Sequence, residues 1–358
     1  MKRRSFLKTV SGTVGAGALV AAGIDREAAA EKPLIAPAAT PSVVKGMPQR
    51  VLGKTGLNVS TVTFPGLALV REEQDACNEA IHSSFERGIN YFDVAPAYGN
   101  GDCEIKMGIG LQGLERDDYV LSCKTKMRDK AGARLELDRS LERLKTDYFD
   151  LYQFHCFIDP EEVAEVLAPG GAMETVLEAQ KAGQIKHIGF SAHTTKSALR
   201  ALRHFDFDTA MFAINFVEYY TIGFGKPVLE LAQEKGTAVI GMKTLGNGRW
   251  PKGVEKTRKW WYRTVETDEQ VRMALQFTLS LQPVATAIPP SWLDLVDKAI
   301  DQAKGLTPAT DEDFAKAQKL SEGCESVFHQ VEQSVAQNTG QREFYADSPH
   351  EGPPCMFS

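Results

Sequence analysis

The sequence predicts an α/β protein of alternating strands and helices, and two observations carry that prediction. Apolar runs of strand length recur along the chain with helix-compatible runs between them. Three of those runs, INYFDVAPAYG, YVLSCKTK and YFDLYQFHC, stop at titratable groups: Asp93 with Tyr98, Lys124 and His155. In a closed parallel barrel such stops converge on one face, where barrels of that kind keep their chemistry.

The amino terminus stands apart from the alternation. Lys2, Arg3 and Arg4, then Ser5, Phe6, Leu7 and Lys8, precede a weakly apolar Gly/Ala-rich run to about Ala22. Residues 1–32 read as an export signal outside the fold. The paired arginines resemble the twin-arginine type, an address rather than an anchor. The run is too short and too glycine-rich for a good membrane span. A chain so addressed is expected to meet the twin-arginine export machinery and to reach the periplasm, or another extracytoplasmic space, already folded. Residues 33–49, with prolines and small residues, read as a flexible linker.

Strands are then expected near Val59–Pro65, Asn90–Val94, Tyr119–Lys124, Phe149–Phe154, His187–Phe190, Thr209–Asn215, Ala238–Met242 and Val284–Ile288. Helix-compatible runs lie between them at Gln74–Arg87, Leu135–Leu144, Ala172–Lys181, Thr195–Leu202, Pro227–Glu234 and Glu269–Ser280. This order favours an eight-fold α/β closure over a doubly wound sheet. Residues 306–358 follow as an extension, helical in character over Asp311–Ala336 and irregular from Gln337; it could cover a barrel mouth or pack on outer helices.

The motifs resemble those of the aldo/keto reductase family. GINYFDVAPAYG is similar to that family's GINFFDTAPAYG, VLSCK to its lysine-terminated third strand, DLYQFH to DLYQIH, and GQIKHIGFSAH to GKIRHIGFSNH. The resemblance runs from about Val51 to about Ile300. It implies a (β/α)8 TIM barrel over residues 50–305, with an N-terminal hairpin at Arg50–Asn58 turning at Gly56. It also implies NADP, or NAD, bound across the mouth and a catalytic tetrad of Asp93, Tyr98, Lys124 and His155. Ser191 falls at the serine that contacts the nicotinamide carboxamide, and Ala192 stands where the family usually has asparagine. Asn215 falls where relatives support that carboxamide, and Tyr219 either stacks on the nicotinamide or lines the loop.

GMKTLGNG, after the seventh strand, is the phosphate candidate. Amides of a glycine-containing turn can hold an anion, and Lys243 strengthens the field. The resemblance sets the pyrophosphate near Thr244, Leu245, Gly246 and Gly248. At the other end of the cofactor, IPPSWLDLVDK offers Ser291 near a helix start but no obvious basic partner, with Lys298 expected in solvent. Gly108, Gly110 and Gly113 match GxGxxG literally, yet no hydrophobic first strand precedes them, so they read as a helix end and turn.

The chemistry follows from residue types. Hydride arriving at a carbonyl carbon builds charge on oxygen, and Tyr98 is the O–H donor that meets it. Lys124 is expected to lower the phenol pKa, Asp93 to orient the lysine, and His155 to donate to the developing oxyanion. Lys126 shares the strand parity of Lys124 and is its rival, while Glu104 is expected to support the loop or helix. No metal is expected: Cys123 and Cys156 should face away from the tetrad if strand alternation persists. Six cysteines without CxxC spacing leave two free thiols favoured over a bridge between Cys324 and Cys355. The net charge of −6 gives no case for nucleic acid.

The segment Gly248–Thr267, with Trp250, Trp260, Trp261, Tyr262 and several basic residues, reads either as a lid over cofactor or an acidic substrate, or as a solvated loop. The expected function is reduction of aldehydes or ketones, with a small carbonyl or alcohol substrate and a tightly retained nucleotide. The alternative is a nucleotide-binding sensor or protein-interaction subunit with weak residual activity, by resemblance to channel-associated members of the superfamily.

Overall fold

The computed structural model describes residues 42–337. The export-signal segment, the first part of the linker, and the tail past Gln337 with Cys355 lie outside the described residues. Chain order begins with a small antiparallel sheet of β1 (Ser42–Val44), β2 (Met47–Val51) and β3 (Asn58–Ser60). Regular structure therefore starts at Ser42, within the expected linker and ahead of the boundary at Arg50. Gly46 and Gly56 make the turns at φ 84° and 73°, a region glycine enters without steric cost. Arg50 fastens this sheet to the barrel, its Nη1 donating to the carbonyls of Leu279 at 2.6 Å and Val284 at 2.9 Å.

The barrel strands are β4 (Phe64–Pro65), β5 (Tyr91–Asp93), β6 (Val120–Thr125), β7 (Phe149–Phe157), β8 (Ile185–Ala192), β9 (Thr209–Ala213), β10 (Ala238–Met242) and β11 (Val284–Ile288). They run parallel in chain order. The ring closes at a bridge between Val62 and Ala287. There the Thr63 amide donates to Ala287 O at 3.0 Å and the Ala287 amide to Thr61 O at 2.9 Å. The expected strand Val59–Pro65 divides because its two ends have different partners: Asn58–Ser60 pairs with β2, and Phe64–Pro65 pairs with β5.

The helices are α1 (Gln74–Glu86), α2 (Asp102–Gly110), α3 (Lys130–Leu144), α4 (Pro160–Leu167), α5 (Ala172–Lys181), α6 (Thr195–His204), α7 (Phe216–Thr221), α8 (Lys226–Lys235), α9 (Asp268–Ser280), α10 (Leu293–Ala303), α11 (Asp311–Ser321) and α12 (His329–Gln337). Side-chain caps start several of them. Asp129 accepts from the Gly132 amide at 2.8 Å and carries α3 back to Lys130. The capping box of Asp159 and Glu162 with Pro160 at the first turn makes α4, a helix too short to show in the apolar period. Helix α2 ends where the glycines read as a helix end and turn: it holds Gly108 and Gly110, and Gly113 forms the turn beyond at φ 90°. At Gly108 a Cβ would lie 2.2 Å from Arg143 O, so this glycine permits close packing of α2 on α3. The single expected helix Asp311–Ala336 breaks into α11 and α12, with Gly323 at φ 76° between them.

Candidate active site

Three strand ends and one turn bring the predicted tetrad together. Asp93 ends β5, Lys124 lies near the end of β6 and His155 near the end of β7. Tyr98 is carried by a tight turn in which Gly99, Asn100 and Gly101 all have positive φ. The Lys124 ammonium has three donors and spends each: on Asp93 Oδ1 at 2.5 Å, Val94 O at 3.0 Å and Tyr98 Oη at 3.3 Å. The Tyr98 and His155 rings meet edge to face, centroids 5.6 Å apart.

Sequence reasoning missed two side chains that hold Asp93. Ser122 Oγ donates to Asp93 Oδ2 at 3.0 Å, and Gln153 Nε2 reaches the same oxygen at 3.3 Å and Ser122 Oγ at 2.9 Å. Each sits two positions before a tetrad residue on its strand, so the period of two could have found both. Glu104 is buried behind the site, bound by Arg143 Nη1 at 3.0 Å and facing the Cys123 thiol, and supports α2 as expected.

Burial pushes the Tyr98 phenol up to about 12; Lys124 draws it down as expected, but burial acts more strongly the other way. Burial also pushes the Asp93 carboxyl up, opposed by Lys124, Ser122 and Gln153. For Lys124, burial favours the neutral amine, but Asp93 and then Tyr98 outweigh it and keep the ammonium charged.

Strand alternation does not persist through His155 and Cys156. The register of β7 on β8 shifts between Phe154 and Phe157, and Cys156 takes φ 61°. The Cys156 amide donates to Ser191 Oγ at 2.7 Å, and its thiol lies 3.4 Å from His193 Nδ1. His193 is thus a buried member of the mouth, 3.4 Å by Nε2 from the Lys243 ammonium. The described residues contain no group of three or more His, Cys, Asp or Glu placed to hold a metal. Cys324 carries a free thiol.

The expected cofactor residues have structural partners as well. Asn215 caps α7, accepting from the Glu218 amide at 3.0 Å, and its Nδ2 donates to Lys243 O at 3.2 Å. Tyr219 packs edge-on against Phe277 of α9. Thr244 Oγ1 donates to Ile288 O at 3.1 Å. The turn expected to offer open amides is partly paired with the chain itself. The amides of Gly246, Asn247 and Arg249 donate to Lys243 O, Arg263 O and Glu325 O. The reason is that the long segment after Gly248 returns antiparallel, bridging Gly246 with Thr264.

That segment has a buried aromatic side. Trp260, Trp261 and Tyr262 are buried while residues 252–257 are exposed, which answers the choice between lid and solvated loop in favour of a lid. Behind it the Cys324–Phe328 strap crosses the mouth. Ser326 Oγ and the Val327 amide donate to the buried Glu218 carboxyl at 2.5 and 2.7 Å, and Phe328 stacks on Phe224. The extension does both things expected of it: the strap covers the mouth, while α11 and α12 pack outside on α7, α9 and α6.

Between lid and tetrad remains a cavity of about 60 Å³, lined by Asp93, Tyr98, Lys243, Trp260, Trp261, Tyr262 and Ser291 among others. At roughly 30 Å³ per water it has room for little beyond solvent. The donor set suits carbonyl chemistry. A larger hollow of about 910 Å³ lies at the opposite end around Arg50 and Pro283 and contains none of the tetrad.

At the start of α10, Arg258 from the lid pairs with Asp294 at 2.5 Å and Glu266 at 2.8 Å, and Arg71 Nη1 donates to Ser291 O at 3.4 Å. Both guanidinium groups face Trp292, at 4.3 Å for Arg71 and 5.2 Å for Arg258. Lys298 is not simply solvated, since it donates to Glu266 O at 2.6 Å.

The chain is similar to an aldo-keto reductase of Bacillus halodurans solved in holo form, with TM-score 0.64 and 25% identity over 79% of this chain and 99% of that one. Among curated proteins it is 37% identical over 119 residues to L-galactose dehydrogenase of Arabidopsis thaliana, covering 30% of this chain and 37% of that protein. It is 26% identical over 198 residues to D-threo-aldose 1-dehydrogenase of a Pseudomonas species, covering 47% of this chain and 59% of the relative. These matches span about a third to three fifths of the curated relatives. Residues 64–337 match the model of the Aldo/keto reductase family, and the chain belongs to that family.

Proposed function

We propose that this protein is an exported NADP(H)-dependent reductase of aldehydes and ketones, with sugar-derived carbonyls as its substrate class. The observation that carries the reading is the Lys124 ammonium joining Asp93 to Tyr98 at the barrel mouth. A nicotinamide, when bound, supplies the hydride. Tyr98 transfers its proton to the carbonyl oxygen as charge grows there, and Lys124 stabilises the phenolate that remains. Asp93, gripped by Ser122 and Gln153, holds Lys124 in place. His155 donates to the same oxygen and fixes the carbonyl. Trp260, Trp261 and Tyr262 exclude water. In the opposite direction Tyr98 as phenolate takes the alcohol proton.

Ser191 and Asn215 would hold the carboxamide, and Thr244, Leu245, Gly246 and Gly248 the pyrophosphate once the pairing with residues 263–265 opens. Ser291 with Arg71 beside Trp292 supports a 2′-phosphate, and so NADP over NAD. The sugar class is supported by relatives named for galactose and aldose dehydrogenation. Export by the twin-arginine route rests on residues 1–32, and a closed lid is what retention of nucleotide outside the cytoplasm requires. Tyr98→Phe tests the chemistry: turnover of a carbonyl panel should fall about 10²- to 10³-fold with nucleotide binding retained. Undiminished turnover refutes the assignment. Cell fractionation of the full chain against Arg3→Lys/Arg4→Lys tests export; equal extracytoplasmic yield removes the twin-arginine route.

A further inference from the structure

Lys243 is a cation in the wrong surroundings for a structural lysine. It follows β10 at φ 57°, is 9% exposed, and lines the same small cavity as Asp93 and Tyr98. Among the described residues its Nζ meets only weak acceptors, His193 Nε2 at 3.4 Å and Met242 Sδ at 3.3 Å. The rings of Trp261 and Phe328 lie 5.4 and 5.5 Å away. Among the described residues no carboxylate forms an ion pair with it, and Glu218 acts on it only through space. Burial lowers its pKa to about 8. A buried ammonium without an oxygen partner is costly, and an anionic oxygen brought into the cavity would relieve that cost.

We propose that Lys243, backed by His193, recognises an anionic group on the substrate, so that the natural substrate is a carbonyl compound also bearing a carboxylate or phosphate, such as a sugar acid. This rests on the reductase reading, because one molecule must present its carbonyl to Tyr98 and its anion to Lys243. The other source of an anion at this place is the cofactor pyrophosphate, and the test separates the two.

The full chain loaded with NADPH is assayed on matched pairs, D-glucuronate with D-glucose and 4-carboxybenzaldehyde with benzaldehyde. Wild type, Lys243→Met and Lys243→Arg are compared. The wild type should favour the charged member of each pair. Lys243→Met should lower the charged-to-neutral ratio of kcat/KM about 10- to 100-fold, the size of one charged hydrogen bond, and arginine should restore part of it. An unchanged ratio overturns the proposal. So does an unchanged ratio with weaker NADPH binding, which would give the cation to the pyrophosphate. If no carbonyl is turned over, the reductase reading fails while this inference stays decidable. Trp261 then reports glucuronate by fluorescence titration: saturable quenching lost in Lys243→Met supports the site, and no saturable response overturns it. A cooperative unfolding transition checks that the methionine variant is folded.

Discussion

Replacing Glu218 by glutamine should change the pH dependence of stability in a calculable way. Glu218 is 1% exposed, and burial raises its carboxyl from 4.5 to about 7 despite hydrogen bonds from Ser326 and Val327. A carboxyl raised in the folded state favours folding while it is protonated. Its contribution is fully present below about pH 4.5 and is lost as pH rises through about 7. At roughly 1.4 kcal/mol per pKa unit the shift corresponds to about 3 kcal/mol. Glutamine mimics the protonated carboxyl at every pH, since its oxygen still accepts from the Val327 amide and the Ser326 hydroxyl can turn to accept from its amide. Glu218→Gln should therefore match wild type in urea unfolding at pH 4.5 and exceed it by about 3 kcal/mol at pH 8. A constant difference between the two proteins across that range would refute the reasoning, because every other titrating group is common to both.

Two further tests concern the phenol and the helix layer. With the Tyr98 phenol near 12, alcohol oxidation, which needs the phenolate, should rise about tenfold per pH unit from neutrality toward pH 10, while carbonyl reduction stays insensitive to this group; a plateau near pH 8 would show a phenol depressed by Lys124 instead. In Gly108→Ala the new Cβ would press on main-chain atoms of Arg143 and Leu144 at 2.2 and 2.8 Å, so a loss of at least about 2 kcal/mol in urea is expected, and a neutral substitution would contradict the close packing of α2 on α3.

The local sequence determined which segments become strands and where the tetrad falls. Asp93, Lys124 and His155 each sit near the end of an apolar run whose period is legible within the run, and Tyr98 lies on a glycine-bearing turn. Short elements escaped because their cause is a cap or a contact: α4 depends on Asp159 and Glu162, and the break between α11 and α12 on Gly323. The partners across the barrel were decided only by the tertiary structure. Ser122 and Gln153 grip Asp93 from neighbouring strands, and a register shift at Phe154 turns Cys156 toward His193. The lid and strap close the mouth through Glu218 and Phe328, residues about a hundred positions apart. Pairings at such separation leave no mark in the period of any one segment. The elevated Tyr98 phenol belongs here too, since desolvation depends on everything packed around the ring, whereas the neighbouring lysine that opposes it could be read from the chain.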